Sequence, residues 1–274
     1  MTAARRLIIN ADDFGRSHAI NQAVLRAHRE GVLTTASLMV NEPACEEAVA
    51  MARENPSLGV GLHLSLLCGR AALSRAANPG LADSTGQFGN NPVGIGFRYY
   101  ARRKLREPLR REIHEQFRRF RETGLPLDHV NGHLHIHLHP VVFGILMEDA
   151  EKLGIRRFRL TRDAFWLNAR VAGGKWAYRI AHAVIYQMLS ARARSPLQQR
   201  GITHTGRVFG LMQDSRVDEE YVLKLLPNLP PGDCELYSHP SLDVFKHEFE
   251  ALISSRVKEQ IRQLGIRPIR YQDL

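Results

Sequence analysis

The chain has 274 residues, 44% of them hydrophobic and 24% charged, enough to bury one large core and too apolar for disorder. A net charge of +10, with a sequence pI near 9.9, favours an anionic partner: a nucleic acid, an anionic membrane surface or an acidic substrate. Cys45, Cys68 and Cys234 are far apart and form no C-x-x-C pair, so neither a thiolate zinc site nor a disulfide framework is indicated, which suits a reducing cytoplasm.

An apolar stretch begins by Leu7, leaving no room for a signal peptide, and no run of 18 apolar residues occurs to span a bilayer. Residues 7–11 read as a strand covered on both faces, ending in Asp12-Asp13-Phe14-Gly15. Two carboxylates therefore stand at its C-terminal end. Ser17 can cap a helix with Ile20, Val24 and Ala27 on one side and Gly31 as its stop. Residues 36–40 predict a second strand and 44–53 its helix, and residues 58–63 predict a third strand with His63 at its far end. From 68 to 98 periodicity is lost and Gly, Pro, Ser and Asn are frequent, which predicts a long loop. A very basic helix is expected over 99–123.

Residues 130–133 predict a fourth strand, followed by four imidazoles in seven residues, His133, His135, His137 and His139. If the chain stays extended they share one face, and Leu134, Ile136 and Leu138 share the other. Pro140 suits the first turn of a helix that Gly154 closes. Neutral imidazole is a common metal ligand, so a metal site is expected in this stretch, although spacing leaves open which histidines bind. Residues 157–161 look like a fifth strand. A long helix over 175–194 follows, carrying Trp176, Ile180, Val184 and Met188. Further strands are expected at 208–212, 234–237 and 268–271, with helices at 217–226 and 245–264.

Seven or eight short apolar strands alternating with helices, with no domain boundary, predict a single (β/α) barrel over residues 1–274. Asp12, Asp13, His63, His133 and His239 then all fall at C-terminal strand ends, where barrels place their chemistry. Two histidines and a carboxylate around an open position suit a divalent metal, and a second carboxylate beside it can take a proton from water.

Four motifs in register, Asn10-Ala11-Asp12-Asp13-Phe14-Gly15, Gly61-Leu62-His63-Leu64, Gly132-His133-Leu134-His135-Ile136-His137 and Glu235-Leu236-Tyr237-Ser238-His239-Pro240, resemble the YdjC/ChbG-like carbohydrate deacetylases over nearly the whole chain. The resemblance implies a distorted (β/α) TIM-like barrel that removes acetyl groups from N-acetylated amino sugars with one divalent metal. It implies Asp13, His63 and His133 as ligands, Asp12 as general base and His239 as general acid. His135 and His137 are alternative proton donors or contacts to the acetyl group. Many members carry aspartate where this chain has Asn131, so Asn131 is given an orienting role and not counted as a ligand. Two imidazoles favour Zn²⁺, whereas family members have been assigned Mg²⁺.

Within the family, the extra His139 and the segment Thr205-Gly206-Arg207-Val208-Phe209-Gly210-Leu211 most resemble hopanoid biosynthesis-associated members. That implies an N-acetylglucosaminyl hopanoid as substrate, with peripheral contact at an anionic inner membrane through residues 99–104 and 166–194. A chitooligosaccharide-type deacetylase, a metal phosphoesterase, and a basic lipid- or nucleic-acid-binding protein with a structural metal are the competing readings. No recognition-helix motif or interleaved aromatic-basic platform supports nucleic acid.

Overall fold

A computed structural model describes residues 4–274. In chain order the elements are β1 (Arg5–Phe14), α1 (His18–Glu30), β2 (Thr35–Leu38), α2 (Cys45–Arg53), β3 (Gly59–Leu64), α3 (Pro92–Ala101), α4 (Arg106–Glu122), β4 (Val130–Gly132), α5 (Pro140–Glu148), α6 (Ala150–Leu153), α7 (Phe165–Val171), α8 (Trp176–Gln199), β5 (Arg207–Phe209), α9 (Glu219–Leu225), β6 (Gly232–Ser238), α10 (Lys246–Ile253), α11 (Ser255–Gln263) and β7 (Arg267–Ile269). All strand pairs are parallel, in the order β4-β3-β2-β1-β6-β5, and β7 pairs with the first half of β1 before β2 takes over that edge.

The sheet curls into a distorted barrel, the fold class that the alternation of strands and helices predicts. The expected fifth strand closes it in irregular form. Residues 156–162 bridge Val130 through Phe158 and Thr203 through Arg157, and the Arg162 carbonyl accepts from Val208 N. β1 is central because it pairs on both edges, which explains its burial on both faces and its continuous apolar sequence. Helices seal the outside. On α4, Leu109, Ile113, Phe117 and Phe120 turn fully inward, each burial contributing about 1.5–3 kcal/mol, while Arg111 and Arg118 stay in solvent and Arg110 and Arg119 are half-buried.

Several expectations change. The basic helix expected over 99–123 is divided, with α3 ending at Ala101 and α4 starting at Arg106. The stretch 68–98 is not loop throughout, because Pro92 at the first helical position and Asn91, whose side chain accepts from Gly94 N, start α3 inside it. The helix expected over 245–264 breaks at Ser254, whose extended backbone ends α10 and whose hydroxyl caps α11 through Val257 N.

The four histidines do not share a face, because the strand stops at Gly132 and the chain turns through a 3-10 segment, His133–Leu138. Leu134 (φ 48°) and His135 (φ 57°) adopt the left-handed conformation, an unfavourable one for both residue types. A Cβ on Gly132 would meet the Leu64 carbonyl oxygen at 3.0 Å and His137 N at 3.2 Å, so this close turn leaves little room for any other residue. The turn sends the four imidazoles in different directions, whereas Pro140 and Gly154 start and stop the following helices as predicted.

Candidate active site

The acidic pair is split by a bulge. β1 and β2 lose register between Ala11 and Phe14, and Asp13 takes φ 65°, so consecutive carboxylates leave the strand in different directions. Asp13 Oδ1 lies 2.9 Å from His133 Nδ1 and 3.3 Å from His63 Nε2, while its Oδ2 accepts from Arg16 at 2.7 Å. One ligand atom from each of Asp13, His63 and His133 falls within 4.8 Å of the others, and all three residues are buried, so the group can hold a metal ion. The chemistry of the donors fits one. His63 Nδ1 donates to Asn131 Oδ1 at 2.7 Å, so one ring proton is held there and Nε2 is the atom that faces the Asp13 carboxylate. With the ring neutral, as a metal ligand must be, two acceptors would face each other at that point, an arrangement that a cation satisfies.

Asp12 turns the other way, against Arg159. The guanidinium donates to Asp12 Oδ2 at 2.6 Å and Oδ1 at 3.0 Å, and to Glu235 Oε1 at 2.9 and 2.6 Å, while lying 4.5 Å above the Tyr237 ring. Asn10 and Asn131 also donate to Asp12 Oδ1, at 2.8 and 3.1 Å. Oδ1 is therefore saturated, whereas Oδ2 accepts only from Arg159 and keeps a free lone pair. Burial works to raise both aspartates. Arg159 and His63 outweigh it at Asp12, and His133 and His63 at Asp13, so both carboxyls sit below the usual range and are ionised at neutral pH.

A cleft of about 340 Å³ opens over Asp12, lined among others by Leu134, His135, Tyr186, Tyr237 and His239. His239 follows β6 directly, partly exposed, its backbone N–H held by the buried Glu248. His135 reaches Tyr237 Oη at 3.0 Å and Thr161 Oγ1 at 3.3 Å, and burial, with His137 and Arg159 nearby, holds it neutral. The structure thus gathers Asp12, Asp13, His63, His133, His135 and His239 at one end of the barrel. His137 stands apart, fully buried against Phe158, its Nε2 donating to the Arg159 carbonyl at 3.0 Å; His139 donates to the Gly96 carbonyl at 3.0 Å on the other side of the turn.

Sequence reasoning missed the polar scaffold beneath the site. Arg159 joins Asp12 to Glu235, Tyr271 donates to Glu235 and stacks on His129, and His129 reaches Ser37 at 3.0 Å, with Ser37 accepting from Asn10 and Asn131. The available signal was an arginine in mid-strand between Phe158 and Leu160, where charge is costly unless paired. The α8 wall of the cleft, Tyr178, His182 and Tyr186 at four-residue spacing, was equally readable.

Residues 6–263 match the family model described as YdjC-like protein. A carbohydrate deacetylase of Geobacillus stearothermophilus is 40% identical over 221 residues, covering 72% of this chain and 86% of that protein. Another, from Brevibacillus brevis, is 41% identical over 147 residues, covering 54% of this chain and 56% of that protein. The matched stretch is thus only about half the length of the Brevibacillus relative. Among solved structures, an Enterococcus faecalis V583 protein described as a cellobiose-phosphate cleavage protein superposes with TM-score 0.77 at 23% identity, covering 99% of both chains, which shows the shared fold. On the match that spans nearly its whole length, this chain belongs to the YdjC-like family.

Proposed function

We propose that the protein is a metal-dependent N-deacetylase that hydrolyses the acetamide of an N-acetyl amino sugar, and that its substrate is the N-acetylglucosaminyl group of a hopanoid-type lipid. The observation that carries the reading is the meeting of Asp13, His63 and His133 within ligand reach, with an independently held carboxylate, Asp12, beside them in the cleft. The names of the relatives, carbohydrate deacetylases, support the reaction class.

Asp13 Oδ1, His63 Nε2 and His133 Nδ1 would hold one divalent cation, Zn²⁺ by ligand type, which supplies Lewis acidity to the acetyl carbonyl and to a water. Asp12 Oδ2 takes the proton of the attacking water, since it is the carboxylate atom with acceptor capacity left. Arg159 fixes the carboxylate plane, so this capacity points one way. His239 donates a proton to the departing amine, and the products are acetate and the free amino sugar. The His135–Tyr237 pair, neutral and anchored, lines the place for the acetyl group. The three unpaired cysteines are in keeping with work in the cytoplasm, at the inner face of an anionic membrane.

The test measures acetate release by the metal-loaded protein from an N-acetylglucosaminyl lipid and from N-acetylglucosamine oligomers. Asp12→Asn is expected to lower kcat by about 10²–10⁴-fold with bound metal unchanged. Retained turnover removes Asp12 from the mechanism. Preference for the oligomers replaces the lipid substrate with a chitooligosaccharide, which the relatives' names, carbohydrate deacetylases, equally allow.

A further inference from the structure

The apolar surface of this protein is collected around one opening. Of the eleven large hydrophobic side chains exposed among the described residues, ten belong to α3, the His133–Leu138 turn, α7 and α8. Pro92 of α3, Leu134 of the turn and Tyr178, His182 and Tyr186 of α8 all line the cleft. α8 therefore has two uses. One side walls the cleft, and half a helical turn away Trp176, Ile180, Val184 and Met188 face solvent, Met188 with 68% of its surface exposed. Trp166 on α7 is 77% exposed, so both tryptophans of the chain lie on this surface.

Charge follows the same map. Residues 164–213 contain no aspartate or glutamate and seven basic residues, Arg170, Lys175, Arg179, Arg192, Arg194, Arg200 and Arg207. Lys175 pairs with Asp214 and Arg179 is turned inward, but Arg192 and Arg194 project from the C-terminal half of α8. A groove of about 490 Å³ between α7 and α8 is walled by Phe165, Trp166 and Val184, with Arg162 and Arg207 beside them. Burial, with Arg207 and Arg194 close by, lowers the Arg162 pKa, the mark of crowded cations. Asp163, which also lines this groove, forms no ion pair with them: its carboxylate accepts from Ala164 N and Asn168 Nδ2, and burial pushes it up to about 7.

We infer that α3, α7 and α8 form a docking surface for an anionic phospholipid bilayer, placed so that the cleft mouth opens onto the headgroup layer. The occupant is fixed by complementarity. Exposed tryptophans and aliphatic side chains beside unpaired arginines match the boundary between acyl chains and anionic headgroups. α8 has the length to cross a bilayer but not the apolarity, so it lies on the surface. The docking rests on the lipid-substrate reading only for its purpose; the surface exists whatever the cleft hydrolyses.

Because both tryptophans sit on the surface, intrinsic fluorescence reports docking directly. The full-length protein is titrated with vesicles of phosphatidylcholine alone and of phosphatidylcholine with phosphatidylglycerol. The expected result is a blue shift with the anionic vesicles that weakens with salt. Arg192→Gln with Arg194→Gln lowers that affinity about 30-fold, and Val184→Asp with Met188→Asp lowers it at least about tenfold. The circular dichroism spectrum and acetate release from water-soluble N-acetylglucosamine oligomers stay at wild-type values in both variants. No shift with anionic vesicles overturns the inference. So does a shift that depends on protein concentration without vesicles, which would mean that a second copy covers this face. A protein that docks but releases no acetate refutes the deacetylase alone, and one that releases acetate without docking refutes the surface alone.

Discussion

Arg159→Met removes the one cation between two fully buried carboxylates while keeping most of the side chain's volume. Asp12 is left with the amides of Asn10 and Asn131, and Glu235 with the Tyr271 hydroxyl. At an effective dielectric near 20, one charge pair at about 4 Å is worth about 4 kcal/mol, and removing one partner of a buried pair costs about 3–5 kcal/mol. We expect a loss of that size, a large fraction of a total stability of about 5–15 kcal/mol. The assay is urea unfolding with chelator present, so that bound metal adds nothing, at pH 7.5 and pH 5.

The pH dependence tests the cause. In the wild type the Asp12 carboxyl is held below its unfolded value, so its contribution is complete above about pH 4 and is lost as pH falls through the folded value. In the variant burial acts without Arg159 and lifts the carboxyl above its unfolded value. The penalty is then greatest at high pH and shrinks as the group takes up its proton. The gap between the two proteins should narrow from pH 7.5 to pH 5. Arg159→Lys restores charge without the two-pronged geometry and should fall between them. A loss under about 1 kcal/mol, or a gap that ignores pH, would refute the reasoning.

Asn131→Ala deprives His63 Nδ1 of its acceptor and frees the ring to rotate or change tautomer. Zinc titration should show affinity reduced about 10–100-fold with the unfolding midpoint of the metal-free protein little changed; unaltered affinity would end the orienting role of Asn131. Burial, with Arg159 nearby, pushes the His137 imidazole down to about 3. Between roughly pH 6.5 and that value the unfolded chain binds a proton that the native imidazole refuses, so acidification costs about 1.4 kcal/mol per pH unit, His135 adding in the same sense. His137→Phe should flatten the acid limb of the stability curve at a neutral-pH cost of about 1 kcal/mol for the bond to Arg159, and an unchanged limb would count against it.

The triad that could hold a metal was legible in sequence because a barrel puts strand ends in one place. Asp13, His63 and His133 needed only the correct ends of three strands, and apolar runs mark those ends well. The histidine run was legible only at its first position. Period-2 alternation assumes an extended chain, and nothing in His133-Leu134-His135 announces that two non-glycine residues turn left-handed. The fifth strand, expected at 157–161, survives as two isolated bridges, Phe158 with Val130 and Arg157 with Thr203. Long-range polar pairings such as Arg159 with Asp12, separated by 147 residues, leave only a charge in an apolar run, which says that a partner exists and not which one. Exposure was equally hidden, since the α8 stripe of Trp176, Ile180, Val184 and Met188 has the spacing of a core-facing helix and yet faces water.

The Asp12-Asp13 pair shows how one strand end supplies two chemically different carboxylates. In a regular strand the pair would point to opposite faces of the sheet, and only one side chain could reach the barrel interior. The bulge and the left-handed Asp13 keep both buried and near His63, at 3.8 Å for Asp12 and 3.3 Å for Asp13. Their partners then separate their roles. Two imidazoles surround Asp13 and make it part of a group that can hold a cation, whereas a permanently charged guanidinium locks Asp12. The two residues are chemically identical, so position alone separates them: Arg159 reaches the first and His133 the second.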